Sequence, residues 1–162
     1  MTIKIKIIFI MAVVLLVVFR DDSLAGTAKS WIAKVEVQSG RSFAAPVTVG
    51  PVENLAGVKL VLQYDPNILI YVKSEKSKNA SQLMQVVNDK TPGKLIIVMA
   101  GAKGLSGKNL ELLCLYFKAA AGLKEKIITK IQTIEIELVS DQLKGIPCQL
   151  SESEITVVPE MN

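Results

Sequence analysis

From Trp31 onward the chain reads as short apolar runs separated by turn-forming clusters. Trp31 to Gln38 sets Ile32, Lys34 and Glu36 against Ala33, Val35 and Val37, and Ser39-Gly40 ends it. Pro46 to Val52 follows, closed by Glu53-Asn54. Residues 55 to 72, LAGVKLVLQYDPNILIYV, form two apolar runs joined by Asp65-Pro66-Asn67. Lys73 to Ser81 is polar and reads as a loop. Gln82 to Asn88 and Lys94 to Ala100 flank Asp89-Lys90-Thr91-Pro92-Gly93, a hairpin turn by composition. Gly101 to Asn109 reads as a glycine-rich loop. Leu110 to Ala119, Ile127 to Val139 and Glu154 to Val158 complete the set.

The longer segments have to be tested against helix. Ile127 to Val139 holds Ile131, Thr133, Ile134, Ile136 and Val139, β-branched residues that favour extended backbone, although its alternation is imperfect. Leu110 to Ala119 tolerates a helix by propensity, but glycine-containing stretches bound its ten residues, which favours a strand. The pattern therefore predicts an all-β chain of about nine strands in two antiparallel sheets packed face to face.

The amino terminus departs from this pattern. Lys4 and Lys6 precede thirteen uninterrupted apolar residues, Ile7 to Phe19, and small residues follow at Ser23, Ala25, Gly26 and Ala28. That is the layout of a secretory signal peptide spanning residues 1–25, and the run is short of the roughly 20 residues needed to cross a bilayer. A cut after Ala25 or Ala28 would release an exported chain with no membrane segment. Arg20-Asp21-Asp22, unusually charged beside a cut, keeps an uncleaved anchor as the alternative.

Removing the leader leaves about 135 residues, one domain's worth. The formal charge of +4 falls to +3, with no block of like charges, which predicts neither nucleic-acid nor membrane binding. The mean hydropathy of +0.40 is inflated by the leader.

Chemistry is limited by what the chain lacks. With no histidine, a Ser-His-Asp or Cys-His centre in its usual form is impossible, and two thiols alone do not make a zinc site. Cys114 and Cys148 could be joined in an oxidising compartment or stay reduced, and their spacing decides neither. Glu135 with Glu137 and Glu152 with Glu154 each share a strand face; such neighbours read as a solvated edge rather than a glycosidase pair. The stretch from Gly101 to Lys108 resembles a phosphate loop but has Ala102 and Asn109 where glycine and Ser or Thr are needed. Asp65-Pro66-Asn67 starts like a calcium loop, yet Lys76 stands at the closing glutamate's place. Asn79-Ala80-Ser81 is a sequon only for a host that glycosylates its exports this way. The sequence nominates no catalytic residue, metal site or cofactor.

One resemblance carries further. Asn54-Leu55-Ala56-Gly57, an alternating strand, then Tyr64-Asp65-Pro66-Asn67-Ile68-Leu69 resembles the characteristic segment of cohesin domains, jelly-roll-like β-sandwiches related to carbohydrate-binding modules. Pro46-Val47-Thr48-Val49, Gly93 to Val98, Leu113 to Lys118 and Ile155-Thr156-Val157 fit in order, so a domain over residues 31–159 is implied. Cohesins bind dockerins, calcium-containing helical modules carried on polysaccharide-degrading enzymes. The resemblance thus implies a non-catalytic module that meets a dockerin-like partner through one sheet, built from strands 57–63, 94–100 and 110–118.

Alternation then divides the faces. Val58, Leu60, Leu62 and Tyr64 point inward, opposed by Leu113, Leu115 and Phe117. The expected partner-binding set is Lys59, Val61, Gln63, Leu112 and Tyr116, an apolar centre with a polar rim. Cellulosomal cohesins carry Asn and Asp where Gly57 and Lys59 stand here, so Lys59 is expected to reverse the sign at that spot. Two other readings stay open. Trp31, Tyr71 and Tyr116 could serve as platforms for a polysaccharide, and an open sheet edge could pair with another sandwich in an exported assembly.

Overall fold

A computed structural model describes residues 26–160; the leader expected over residues 1–25 lies outside the described residues. Among the described residues, twelve strands and no helix make up two facing sheets. The strands are β1 (Ala28–Ile32), β2 (Val35–Gln38), β3 (Ser42–Gly50), β4 (Val52–Tyr64), β5 (Leu69–Lys76), β6 (Met84–Asn88), β7 (Lys94–Gly107), β8 (Leu110–Ala119), β9 (Ile127–Ser140), β10 (Gly145–Ile146), β11 (Cys148–Gln149) and β12 (Glu152–Val158). One sheet has the order β11-β1-β3-β8-β5; the other runs β2-β12-β9-β4-β7-β6, with β10 paired to β9.

The sandwich is the one the pattern predicts, and nine strands is a fair approximation. The alternating stretch from Trp31 divides at Ala33-Lys34, so that β1 joins one sheet and β2 the other. Two pairs, β1 with β11 and β2 with β12, are parallel within an otherwise antiparallel ladder. The polar stretch after Val72 continues β5 to Lys76, and the supposed glycine loop continues β7 to Gly107. No phosphate-cradling loop exists there.

The turn at 64–67 is built from its own side chains. Asp65 Oδ1 accepts hydrogen bonds from the Asn67 backbone N–H at 2.9 Å and its Nδ2 at 3.1 Å, and the Leu69 N–H closes on the Asp65 carbonyl at 2.9 Å. This bend carries the chain from β4 in one sheet to β5 in the other. Gly93 sits beneath it at φ +80°, its carbonyl accepting from the Tyr64 N–H at 2.9 Å. A Cβ at Gly93 would fall 2.9 Å from the Tyr64 carbonyl oxygen.

Val58, Leu60 and Leu62 of β4 meet Leu113, Leu115 and Phe117 of β8 in the buried core. Phe117 is its centre, stacked on Phe43 at 5.8 Å and met edge-on by Tyr64 at 5.1 Å and Tyr71 at 5.7 Å. Tyr71 is thereby used in packing. Cys114 and Cys148 are free thiols, half-buried, and burial raises the pKa of each.

Candidate functional site

The outer face of the β6-β7-β4-β9 sheet is a grid whose rows follow from register. Paired residues on neighbouring antiparallel strands share a face, so reading across gives Met84–Ala100–Gly57–Val139, then Val86–Val98–Lys59–Glu137, then Asn88–Ile96–Val61–Glu135. Met84 is 76 % exposed, Val86 65 % and Val98 42 %. Side chains this apolar and this open on adjacent strands form a patch, which scattered surface residues do not.

Charge takes over toward β9. Lys59 Nζ donates to Glu135 Oε1 and, at 3.3 Å, to Glu137 Oε1. The hydrogen bond to Glu135, with that to Glu137 second, holds the Lys59 ammonium above its ordinary pKa, and the Lys59 bond holds Glu135 below the ordinary carboxylate value. Lys59 therefore does not present the free positive charge expected of it. Lys59 faces two carboxylates, and Lys94 also lowers the Glu135 pKa, so the local charges balance. These glutamates lie in mid-sheet, since β9 runs between β12 and β4, rather than on an edge.

Only part of the expected binding set comes together. Lys59 and Gln63 lie on this face, with Gln63 exposed. Val61 shares the face by alternation and stands outside the core cluster, yet it is only 3 % exposed, lying between Lys59 along its strand and Ile96 and Glu135 across it. It supports the surface instead of offering itself to a partner.

Leu112 and Tyr116 belong elsewhere, because β8 lies in the opposite sheet between β3 and β5. Leu112 is 1 % exposed and points into the core. The reason is a bulge: Val47 pairs with Leu113 and Thr48 with Glu111, leaving Leu112 unpaired and shifting the inward parity of the strand by one residue. Tyr116 lies on the outer face of that other sheet. Lys73 Nζ stands 4.9 Å from its ring centroid, and Glu75 accepts from Lys73 at 2.6 Å. The Glu75 carboxylate raises the Tyr116 pKa.

Sequence reasoning missed Met84, Val86 and Val98, and with them the partners of Lys59. Met84 and Val86 alternate with Gln85 and Val87 just ahead of a hairpin turn, which was the signal available. Trp31, 37 % exposed, and Tyr116 share the outer face of the five-stranded sheet, on β1 and β8 with β3 between them.

Two facing sheets of mostly antiparallel strands define the class, an all-β sandwich module. The chain belongs to the Cohesin domain family, whose family model matches residues 28–157. Among solved structures it is similar to a non-cellulosomal cohesin from the hyperthermophilic archaeon Archaeoglobus fulgidus, with a TM-score of 0.73 at 14 % identity over 82 % of this chain and 92 % of that one. It is also similar to a chain of the Coh-OlpC-Doc435 complex, a type I cohesin-dockerin complex from Clostridium thermocellum, with a TM-score of 0.72 at 16 % identity over 83 % and 95 %. The cohesin module of a Clostridium perfringens family 33 glycoside hydrolase gives 0.71 at 16 % identity over 83 % and 98 %. No curated protein matches the chain by sequence.

Proposed function

We propose that this protein is an exported, non-catalytic recognition module that binds a dockerin-type partner through the outer face of β6, β7, β4 and β9, in the service of extracellular polysaccharide handling. The observation that carries the reading is the open apolar patch of Met84, Val86 and Val98 on a domain of the cohesin family. Export is supported by the leader pattern of residues 1–25. Recognition through a sheet face, with the backbone already committed to the ladder, relies on side chains alone.

Titration calorimetry of the purified protein against the dockerin modules encoded in the source genome tests it. Binding is expected in calcium and lost on adding chelator. Val86→Asp should weaken it by at least about tenfold, as for a central apolar contact, while Trp31→Ala on the other sheet leaves it unchanged. If no dockerin binds, or if Val86→Asp is without effect, the reading is wrong.

Exposed Trp31 and half-buried Tyr116 on one outer face favour polysaccharide as the second reading. Retention on insoluble polysaccharide that survives chelator and is lost in Trp31→Ala would establish it.

A further inference from the structure

Five of the described strands end a ladder, and four of them are guarded. β5 is bent by a bulge at Val72 and carries Lys73, Glu75 and Lys76. β2 is four residues long with Glu36 within it, and β10 and β11 are two residues each on either side of Pro147. Such devices keep an unpaired edge from recruiting another strand. β6 has none of them. Its five residues, Met84 to Asn88, include no charge, proline or glycine, and they pair with β7 with no shift of register, so the edge is straight. Apart from that ladder, no backbone group of residues 84–88 bonds to another described backbone group.

The edge is also held in place. Lys76 Nζ donates to the Ser81 carbonyl at 3.1 Å and to the Leu83 carbonyl at 2.6 Å, which pins the connection from β5, and Gln85 Nε2 donates to Ser74 Oγ at 2.6 Å. Little conformational freedom is left to lose when a strand is added there. Between β5 and β6 the sandwich opens into a groove lined by Tyr71, Val72, Ser74, Gln85 and Val87. An added strand would lay alternate side chains toward that groove and beside Met84 and Val86 on the outer surface.

The strand that fits is β6 of a second copy. Paired residues of an antiparallel ladder share a face, so a twofold axis through the seam has to fall on a residue, and Val86 is the one that overlaps all five. Val86 then meets its own counterpart, Met84 meets Asn88 of the other copy, and Gln85 meets Val87. No charge is set against a like charge, and the two β-branched valines form a favourable cross-strand pair. We infer that two copies of this chain join edge to edge through β6, in antiparallel register centred on Val86, and so fuse their larger sheets into one. The far ends of the fused sheet are the guarded β2 strands, so the assembly closes at two. Pairing uses the backbone edge and leaves the outer faces of both copies open and side by side, so it is independent of the recognition proposed for that face.

Sedimentation velocity of the purified protein tests it. A seam of five residues a side is well below the roughly 20–30 of a standard interface, so a reversible dimer is expected to build up between about 10 μM and about 1 mM. Val86→Lys and Val86→Glu each set like charges opposite one another at the axis and should weaken association by at least about tenfold. Val86 is 65 % exposed, so neither charge disturbs the fold, which circular dichroism checks. An equimolar mixture of the two variants should dimerise again, because the axis then sets lysine against glutamate. Val98→Lys, one strand in from the seam, should dimerise as the wild type does, which separates edge pairing from the stacking of two apolar faces. A wild type that stays monomeric up to about 1 mM overturns the inference. So does a dimer that persists in Val86→Lys alone, a mixture that fails to restore it, or its loss in Val98→Lys.

Discussion

Gly93 and Thr133 show how single residues set local cost. Gly93 combines a left-handed backbone with a turn under the Asp65-Pro66-Asn67 bend, and the nearest atom to an added Cβ is backbone, which cannot swing away. Gly93→Ala is expected to lower stability by about 1–2 kcal/mol through the left-handed conformation alone, measurable by urea unfolding. Thr133 is the opposite case. Its Oγ1 is the one buried side-chain oxygen or nitrogen among the described residues without a hydrogen-bond partner. Thr133→Val keeps the shape and removes an unsatisfied hydroxyl, so it should raise stability by about 1 kcal/mol. A lower melting temperature in that variant would contradict the account.

The elements show why some of the fold was legible from residues and some was not. Turn chemistry is local, and both the Tyr64–Asn67 bend and the Asp89–Gly93 hairpin could be read directly. So could the inward positions of β4. Bulges could not, because one extra residue inverts parity and nothing in the neighbouring side chains announces it. Ile134 is such a residue: Leu62 pairs with Thr133 and Val61 with Glu135, so Ile131 and Thr133 before it and Ile136 and Leu138 after it all point inward. That accounts for the imperfect alternation of β9, as the extra residue in β8 accounts for Leu112 alone departing from the expected division of that strand. Sheet membership was equally hidden. Whether β8 lies beside β4 or opposite it depends on pairings between residues far apart in sequence, and an apolar alternating strand fits both places.

The central ion cluster of β4 and β9 has a definite pH signature. Glu135 has a lowered native pKa, so its contribution is present above the ordinary glutamate value of about 4.3 and is lost as pH falls through the native value. Lys59 has a raised one, so its contribution is present below about 10.4 and is lost as pH rises through its native value. The difference in melting temperature between wild type and Glu135→Gln should accordingly be level across the neutral range and vanish under acid. A difference that persists unchanged well below pH 4 would show that the cluster is not its source.

At the scale of the molecule, both faces of the sandwich carry exposed features, and they differ in kind: an apolar patch beside the Lys59–Glu135–Glu137 cluster on one sheet, Trp31 and a Lys73-capped Tyr116 on the other. The family model spans residues 28–157, whereas the candidate contacts are a handful of side chains on one face. This is why the resemblance could be drawn from the sequence while three of five expected contact residues, Val61, Leu112 and Tyr116, proved to be covered, internal or on the opposite sheet. The closing strand is the keystone of the larger sheet, pairing with β2 on one side and β9 on the other. A chain ending before Glu152 is expected to lose cooperative unfolding, read by circular dichroism during heating, because β2 is left without a ladder and β9 with an open edge.

That placement also orders events in time. β2 is among the first segments made and waits more than a hundred residues for the strand that seats it. Until β12 is made, β2 has no neighbour in the larger sheet and β9 keeps an open edge. The larger sheet is thus completed only by pairing segments more than a hundred residues apart, so β2 stays exposed for as long as the intervening strands are being made.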